Sequence, residues 1–203
     1  MARMGDDAIL RFDDVSCVRG GRLLFAGLSF ALAPGGVLLL TGPNGSGKSS
    51  LIRLAAGLLA PAAGRIERQG GIALLGHDHA LDEGLSLKAA LGFWERMDSL
   101  TTSGSRSEKA GGDALEAVGL AALAEVPVRL LSQGQKRRAG LARVIASRAD
   151  LWLLDEPGVG LDAASLEMLA QACAAHRAAG GAVLAATHMA LGLDTADVLE
   201  LRP

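Results

Sequence analysis

Polar and apolar residues alternate through AILRFDDVSCV (8–18) and LLFAGLSFAL (23–32), the period of strands with one buried face, and the turn-rich RGGR joins them. After the turn PGG at 34–36 the pattern changes to the unbroken apolar run VLLL (37–40), which reads as a short strand buried on both faces. LWLLDEP (151–157) and AVLAATH (182–188) read the same way, and GRIER (64–68), GIALLGH (71–77) and DVLEL (197–201) read as further short strands. Helical spacing predicts KSSLIRLAAGLL (48–59) stopped by Pro61, LSLKAALGFWERM (85–97) with Ser86 as N-cap, GDALEAVGLAAL (112–123), SQGQKRRAGLARVIAS (132–147) and SLEMLAQACAAHRAAGG (165–181). The polar, aperiodic DSLTTSGSRSEKAGG (98–112) reads as a loop or a disordered tip. Strands alternating with helices predict a doubly wound, mainly parallel sheet. One domain is expected, with an α/β core at 1–84 and 131–203 and a mainly helical insert at 85–130.

Composition adds limits rather than detail. Half of the 203 residues are hydrophobic and none is Tyr, a mix that suits helices packed closely on a buried sheet. A net charge of −2 gives no reason to expect nucleic acid. The one basic run, Lys136-Arg137-Arg138, reads as the solvated face of a helix, as does His176. Cys17 and Cys173 sit in apolar surroundings and read as buried free thiols, in keeping with a reducing cytosol. The N-terminus MARMGDDAIL carries no signal-peptide pattern. No window reaches the ~18 apolar residues of a spanning helix, so the chain is not expected to cross a membrane itself.

The chemistry begins at GPNGSGKSS. Gly42, Pro43, Asn44, Gly45, Ser46, Gly47, Lys48, Ser49 and Ser50 fit the phosphate-loop spacing G-x-x-x-x-G-K-[ST], between a buried strand and a helix start. Backbone amides and the helix N-terminus would surround a phosphate, Lys48 would reach the β- and γ-phosphate oxygens, and Ser49 would ligate Mg²⁺. LWLLDE supplies the acids such a loop needs. Asp155 would hold the Mg²⁺ shell through water, and Glu156 would polarise the attacking water. In LSQGQKRR, Ser132 reads as an N-cap, and Ser132, Gly134 and the following amides would form a second anion site. One nucleotide does not need two such helix ends on one chain, so the second is expected to read the γ-phosphate held by a partner.

At LSQGQ the chain resembles the ATP-binding-cassette family, whose signature motif this segment matches, and the resemblance covers nearly the whole chain. It implies an α/β phosphate-loop NTPase fold with an antiparallel β part and a small helical subdomain, ATP and Mg²⁺ as ligands, and a head-to-tail pair with a second copy. Under it, Ser132, Gly134 and Gln135 would touch the partner's nucleotide. Pro157 through Asp162 would be the loop facing the partner, with Asp162 its matching acid, and His188 would be the switch histidine at the γ-phosphate. Lys48, Glu156 and His188 form the expected catalytic set. Two positions depart from the family: His77 stands where a glutamine usually links the Mg²⁺ site to the membrane subunit, and Arg19 falls where an aromatic residue often stacks on adenine. His77-Asp78-His79 is a poor metal cluster, since three adjacent residues rarely converge on one ion.

CVRGGRLLFAGLSF, LLGHDHALDEGLSLKAALGFW and RADLWLLDEP further resemble the ATP-binding subunits of cytochrome c maturation systems, the haem exporter group. That resemblance implies integral membrane permease partners and a peripheral place on the cytoplasmic face of the bacterial inner membrane, with hydrolysis used to release haem-loaded chaperone. An ATPase for another cargo shares every core motif. A soluble cassette acting on DNA or ribosomes would need inserts or a basic face, and a phosphate-loop kinase would have no use for LSQGQ.

Overall fold

The structure, a computed structural model, describes residues 7–76, 78–101 and 109–202. Two polar residues in succession, Asp13 and Asp14, interrupt the alternation of β1 (Leu10–Arg19), and the strand absorbs them as a bulge. Asp14 takes φ +50°, and Phe12, Val15 and Cys17 all stay inward. β1 pairs antiparallel with β2 (Arg22–Leu32), where Phe12 stacks on Phe30 at 4.6 Å, and with β4 (Ala63–Arg68) on its other side.

The second sheet is parallel, in the order β5 (Ile72–Leu75), β6 (Leu151–Asp155), β7 (Ala182–Ala186), β3 (Val37–Thr41), β8 (Asp197–Glu200). Its strands carry continuous apolar runs because both faces are covered, each face taking every second residue. Leu38, Leu40, Leu151, Leu153, Leu184 and Ala186 join the core under the antiparallel sheet and α1 (Lys48–Ala55). Trp152, Leu154, Val183 and Ala185 join the other core with α2 (Leu87–Thr101), α3 (Lys109–Ala117), α4 (Gln133–Ser147) and α5 (Ala163–Ala178).

Three expectations shift. α1 ends at Ala55, well before Pro61, because Gly57 adopts φ +75° and turns the chain out of the helix. The polar stretch 98–112 is helical at both ends, through Thr101 in α2 and from Lys109 in α3, while residues 102–108 lie outside the described residues. Packing overrides composition there. Gly111 approaches α2 so closely that a Cβ would sit 2.7 Å from a Glu95 carboxylate oxygen, and Ala114, Leu115 and Val118 are buried. The segment 112–123 is not one helix: α3 stops at Ala117, Gly119 turns at φ +65°, and a 3₁₀ turn covers Ala121–Leu123. Ser86 does cap α2, accepting from the Ala89 amide at 3.3 Å. No helix among the described residues is long and apolar enough to cross a membrane.

Candidate functional site

Parallel pairing sets the carboxyl ends of β3, β6 and β7 at one level, since Leu40 and Asp155 are both in register with Ala186. Ligands of open parallel sheets bind outside that edge. Three successive chain segments leave it together: the loop Gly42–Gly47 from β3, Glu156 from β6, and Thr187-His188 from β7.

The loop's shape depends on two glycines. Gly42, at φ +129°, passes so close to the residue that follows β8 that a Cβ would lie 2.3 Å from the Leu201 carbonyl oxygen. Gly47, at φ +104°, is the N-cap residue of α1 and lies against Leu24 and the ring of Phe25. Lys48 is buried, and its ammonium donates to the Gly42 and Pro43 carbonyls at 2.8 and 3.2 Å, drawn across the loop. Among the described residues no side chain caps α1, which leaves its first-turn amides to the loop, and the buried Ser46 hydroxyl has no partner. Arg19, by contrast, is exposed at the end of β1 opposite Arg22, and the aromatic ring packed against the loop is Phe25.

Next to the loop stand the acids. The Ser49 hydroxyl donates to Asp155 Oδ1 at 3.1 Å across 106 positions of sequence. Glu156 adopts φ +50°, a conformation rare outside glycine, and its amide donates to the Ala186 carbonyl at 2.9 Å. This turns its side chain toward His188, whose Nδ1 lies 2.8 Å from Glu156 Oε2. Buried Thr187 fixes the histidine from behind: its hydroxyl donates to the Met189 carbonyl at 2.9 Å and accepts from the Met189 amide at 3.1 Å.

Ser132 caps α4 as the sequence suggests, and reciprocally. Its hydroxyl accepts from the Gln135 amide at 3.2 Å while Gln135 Oε1 accepts from the Ser132 amide at 2.8 Å. Among the described residues no hydrogen bond joins Ser132–Gln135 to the loop Gly42–Ser50. Gly134 instead lies beside Gly160 of the segment 157–162. Asp162 is the N-cap of α5 and accepts from the Ser165 amide at 2.8 Å; hydrogen bonding from the Ser165 side chain first, and from that amide second, holds its carboxyl below the ordinary value. His77 lies outside the described residues.

Two solvated readings are corrected. Lys136 pairs with Glu83 at 2.6 Å, Arg138 donates to the Val118 carbonyl, and Arg137 is 7 % exposed. Burial lowers the Arg137 pKa while the charges of Asp155 and Glu156 raise it. The signal was present in the sequence: Arg137 stands four residues before Leu141 and seven before Val144, on the apolar stripe of α4. His176 is in a helix, yet its ring stacks on Trp152 at 4.0 Å and burial lowers its pKa. The thiols are buried as expected, and burial pushes Cys173 up to about 12.

The donor set fits a magnesium–nucleotide complex. Lys48, the first-turn amides of α1 and the orphaned Ser46 hydroxyl are what a polyphosphate requires. The Ser49–Asp155 oxygen pair suits Mg²⁺, which is commonly held by one or two protein oxygens plus phosphates and water.

Comparison with known proteins agrees with this geometry. Residues 25–159 match the family model described as ABC transporter. The cytochrome c biogenesis ATP-binding export protein CcmA of Sphingopyxis alaskensis is 53% identical over 193 residues, 95% of this chain and 96% of that protein. The protein of the same name from Rhodospirillum rubrum is 50% identical over 206 residues, 96% and 86% of the two chains. Among solved structures, an ATP-binding cassette captured as a dimer in a post-hydrolysis state with ADP and Pi superposes with a TM-score of 0.82, covering 95% of this chain and 94% of that one. At 20% identity, that likeness speaks for the fold alone.

Proposed function

We propose that this chain, which belongs to the ABC transporter family, is the ATP-hydrolysing subunit of a membrane complex for cytochrome c maturation, the haem-export type of cassette. ATP hydrolysis follows from the family; the cargo rests on the names of relatives at about half identity over nearly the whole chain. The observation that carries the hydrolytic reading is the Glu156–His188 pair at 2.8 Å, standing beside the Ser49–Asp155 pair at 3.1 Å on one strand edge.

The loop residues Gly42 to Ser50 hold the phosphates, with Lys48 turning from the loop carbonyls toward them. Ser49 and Asp155 hold Mg²⁺, which neutralises charge on the β- and γ-phosphates when bound. Glu156 accepts the proton of the attacking water, and His188 orients Glu156 and reaches the γ-phosphate side. Ser132, Gly134 and Gln135 of a second copy close the site from the other side, with Asp162 at the facing loop, so each nucleotide lies between two chains. Closure excludes water and surrounds the transferring group with preorganised donors. Residues 85–130 act as the helical subdomain.

A groove of about 860 Å³ runs between α1, β5, α2 and α4, lined by Arg53, Leu58, Leu74, Trp94, Arg143 and Asp155. Its mixed lining, apolar at Leu58, Leu74 and Trp94 and basic at Arg53 and Arg143, and its continuity with Asp155 support a cytoplasmic loop of the permease as occupant. The chain then lies on the cytoplasmic face of the inner membrane, held by that permease. In bacteria lacking their own cassette subunit, the wild-type chain restores haem-stained c-type cytochromes and Glu156→Gln does not. Restoration by Glu156→Gln overturns the hydrolytic reading; failure of the wild type to restore them overturns the cargo.

A further inference from the structure

Arg137 takes no part in the phosphate chemistry, yet its guanidinium joins three carbonyls from two separate strand ends. Nη1 donates to the Gly76 carbonyl at 2.8 Å, where β5 has just ended. Nη2 donates to the carbonyl of Asp155 at 2.8 Å and to that of Glu156. The Nε atom is buried with no partner among the described residues, so two nitrogens carry all three bonds. A planar fork of fixed geometry is the group that can hold several acceptors in one arrangement. The peptide it grips is the one whose Glu156 sits at φ +50°, a conformation that persists only where its surroundings enforce it. Arg137 also stands five residues beyond Ser132, on the same α4 whose capped first turn makes no hydrogen bond to the loop of its own chain among the described residues.

We propose that Arg137 is a positioning residue that makes the first turn of α4, the Asp155–Glu156 peptide and the strand end at Gly76 one mechanical unit. Seating a partner's γ-phosphate on Ser132–Gln135 then sets Glu156 of the same chain, which acts on that chain's own nucleotide. The two composite sites of a pair are thereby cross-wired: ATP at one aligns the acid at the other. Gly76 extends the unit to the groove side, where its own residue lines the wall. This inference rests on the composite-site reading above.

The test is steady-state ATP hydrolysis by the full chain in its membrane complex, with kcat expressed per ATP-binding site. Arg137→Lys keeps a charge but can span only part of the three-carbonyl set, and Arg137→Met keeps the stem and no donor. The expected order is wild type, then Lys, then Met, with kcat down about 10- to 100-fold in Met because a misplaced acid costs that much. KM for ATP stays within about 2-fold, since the phosphate loop is untouched. The Hill coefficient for ATP, above 1 in the wild type, falls to about 1 in both variants. If Arg137→Met does not fold, Arg137→Lys decides alone. Wild-type kcat and Hill coefficient in Arg137→Lys overturn the proposal, as does a loss of ATP-binding sites that accounts for the whole fall in rate. Glu156→Gln in the same assay separates the two readings. If it still hydrolyses ATP, the hydrolytic reading fails; if it is inactive while the Arg137 variants are normal, only this inference fails.

Discussion

Replacing Ser132 by Asp separates what this residue does for the fold from what it does for the site. Ser132 caps α4 through one bond, its hydroxyl accepting from the Gln135 amide at 3.2 Å. Asp is as good an N-cap as Ser, and a carboxylate at a helix N-terminus adds about 0.3–1 kcal/mol. The exposed position leaves room for the longer side chain, so Ser132→Asp is expected to unfold at or slightly above the wild-type midpoint. Ser132→Ala loses the bond and costs about 1 kcal/mol, with the reciprocal Gln135 Oε1 bond to the Ser132 amide still in place. The site reverses that order. If a partner's γ-phosphate comes within about 4 Å of this cap, the new carboxylate repels it by about 4 kcal/mol per charge pair at an effective dielectric near 20, roughly three decades in ATP-driven pairing. Ser132→Ala adds no charge and keeps the amides. Urea unfolding and ATP hydrolysis should therefore rank the two variants oppositely, Asp the more stable and Ala the more active. Hydrolysis by Ser132→Asp at the wild-type rate would refute a phosphate at this helix end.

Gly42→Ala places a Cβ 2.3 Å from the Leu201 carbonyl and 3.1 Å from the Ser46 hydroxyl at φ +129°, so the loop must shift. Affinity for a fluorescent ATP analogue should fall by about 10-fold or more, and unchanged affinity would show that the loop tolerates the move. Burial keeps the His176 imidazole below its ordinary pKa, so as pH falls the unfolded chain takes up the proton first. That contribution to stability is full above about pH 6.5 and is lost as pH drops toward the folded-state value. Urea midpoints at pH 7.5 and 5.5 should differ less in His176→Gln than in the wild type; an equal difference assigns the acid sensitivity elsewhere. Cys173, pushed up to about 12 by burial, should resist iodoacetamide at pH 8 until urea opens the fold, and rapid native alkylation would contradict that placement.

Most of the architecture was legible because the buried parallel strands and the phosphate loop carry local signals: VLLL, LWLL and AVLAA read as strands and became β3, β6 and β7. The capping box of Ser132 and Gln135 was half visible, since Ser132 reads as a cap from its neighbours alone. What stayed hidden depends on tertiary packing. Lys109 to Gly111 look like loop residues until α3 is laid against Glu95 of α2. Arg137 and His176 looked solvated because their partners are distant in sequence: carbonyls at 76, 155 and 156 for one, the Trp152 ring for the other. The pairing of Glu156 with His188 was expected only as a shared role. The 2.8 Å bond comes from the parallel register of β6 and β7, which no local pattern encodes.

In the proposed pair, one chain supplies the phosphate loop and acids while a second copy supplies the capped end of α4. Sedimentation of the Glu156→Gln chain tests it most directly, because ATP binds there without being cleaved. The expected result is a dimer with ATP and Mg²⁺, a monomer with ADP, and a monomer with ATP once Ser132→Asp is added. A Glu156→Gln chain that stays monomeric at saturating ATP and Mg²⁺, or a dimer that Ser132→Asp leaves intact, would contradict it.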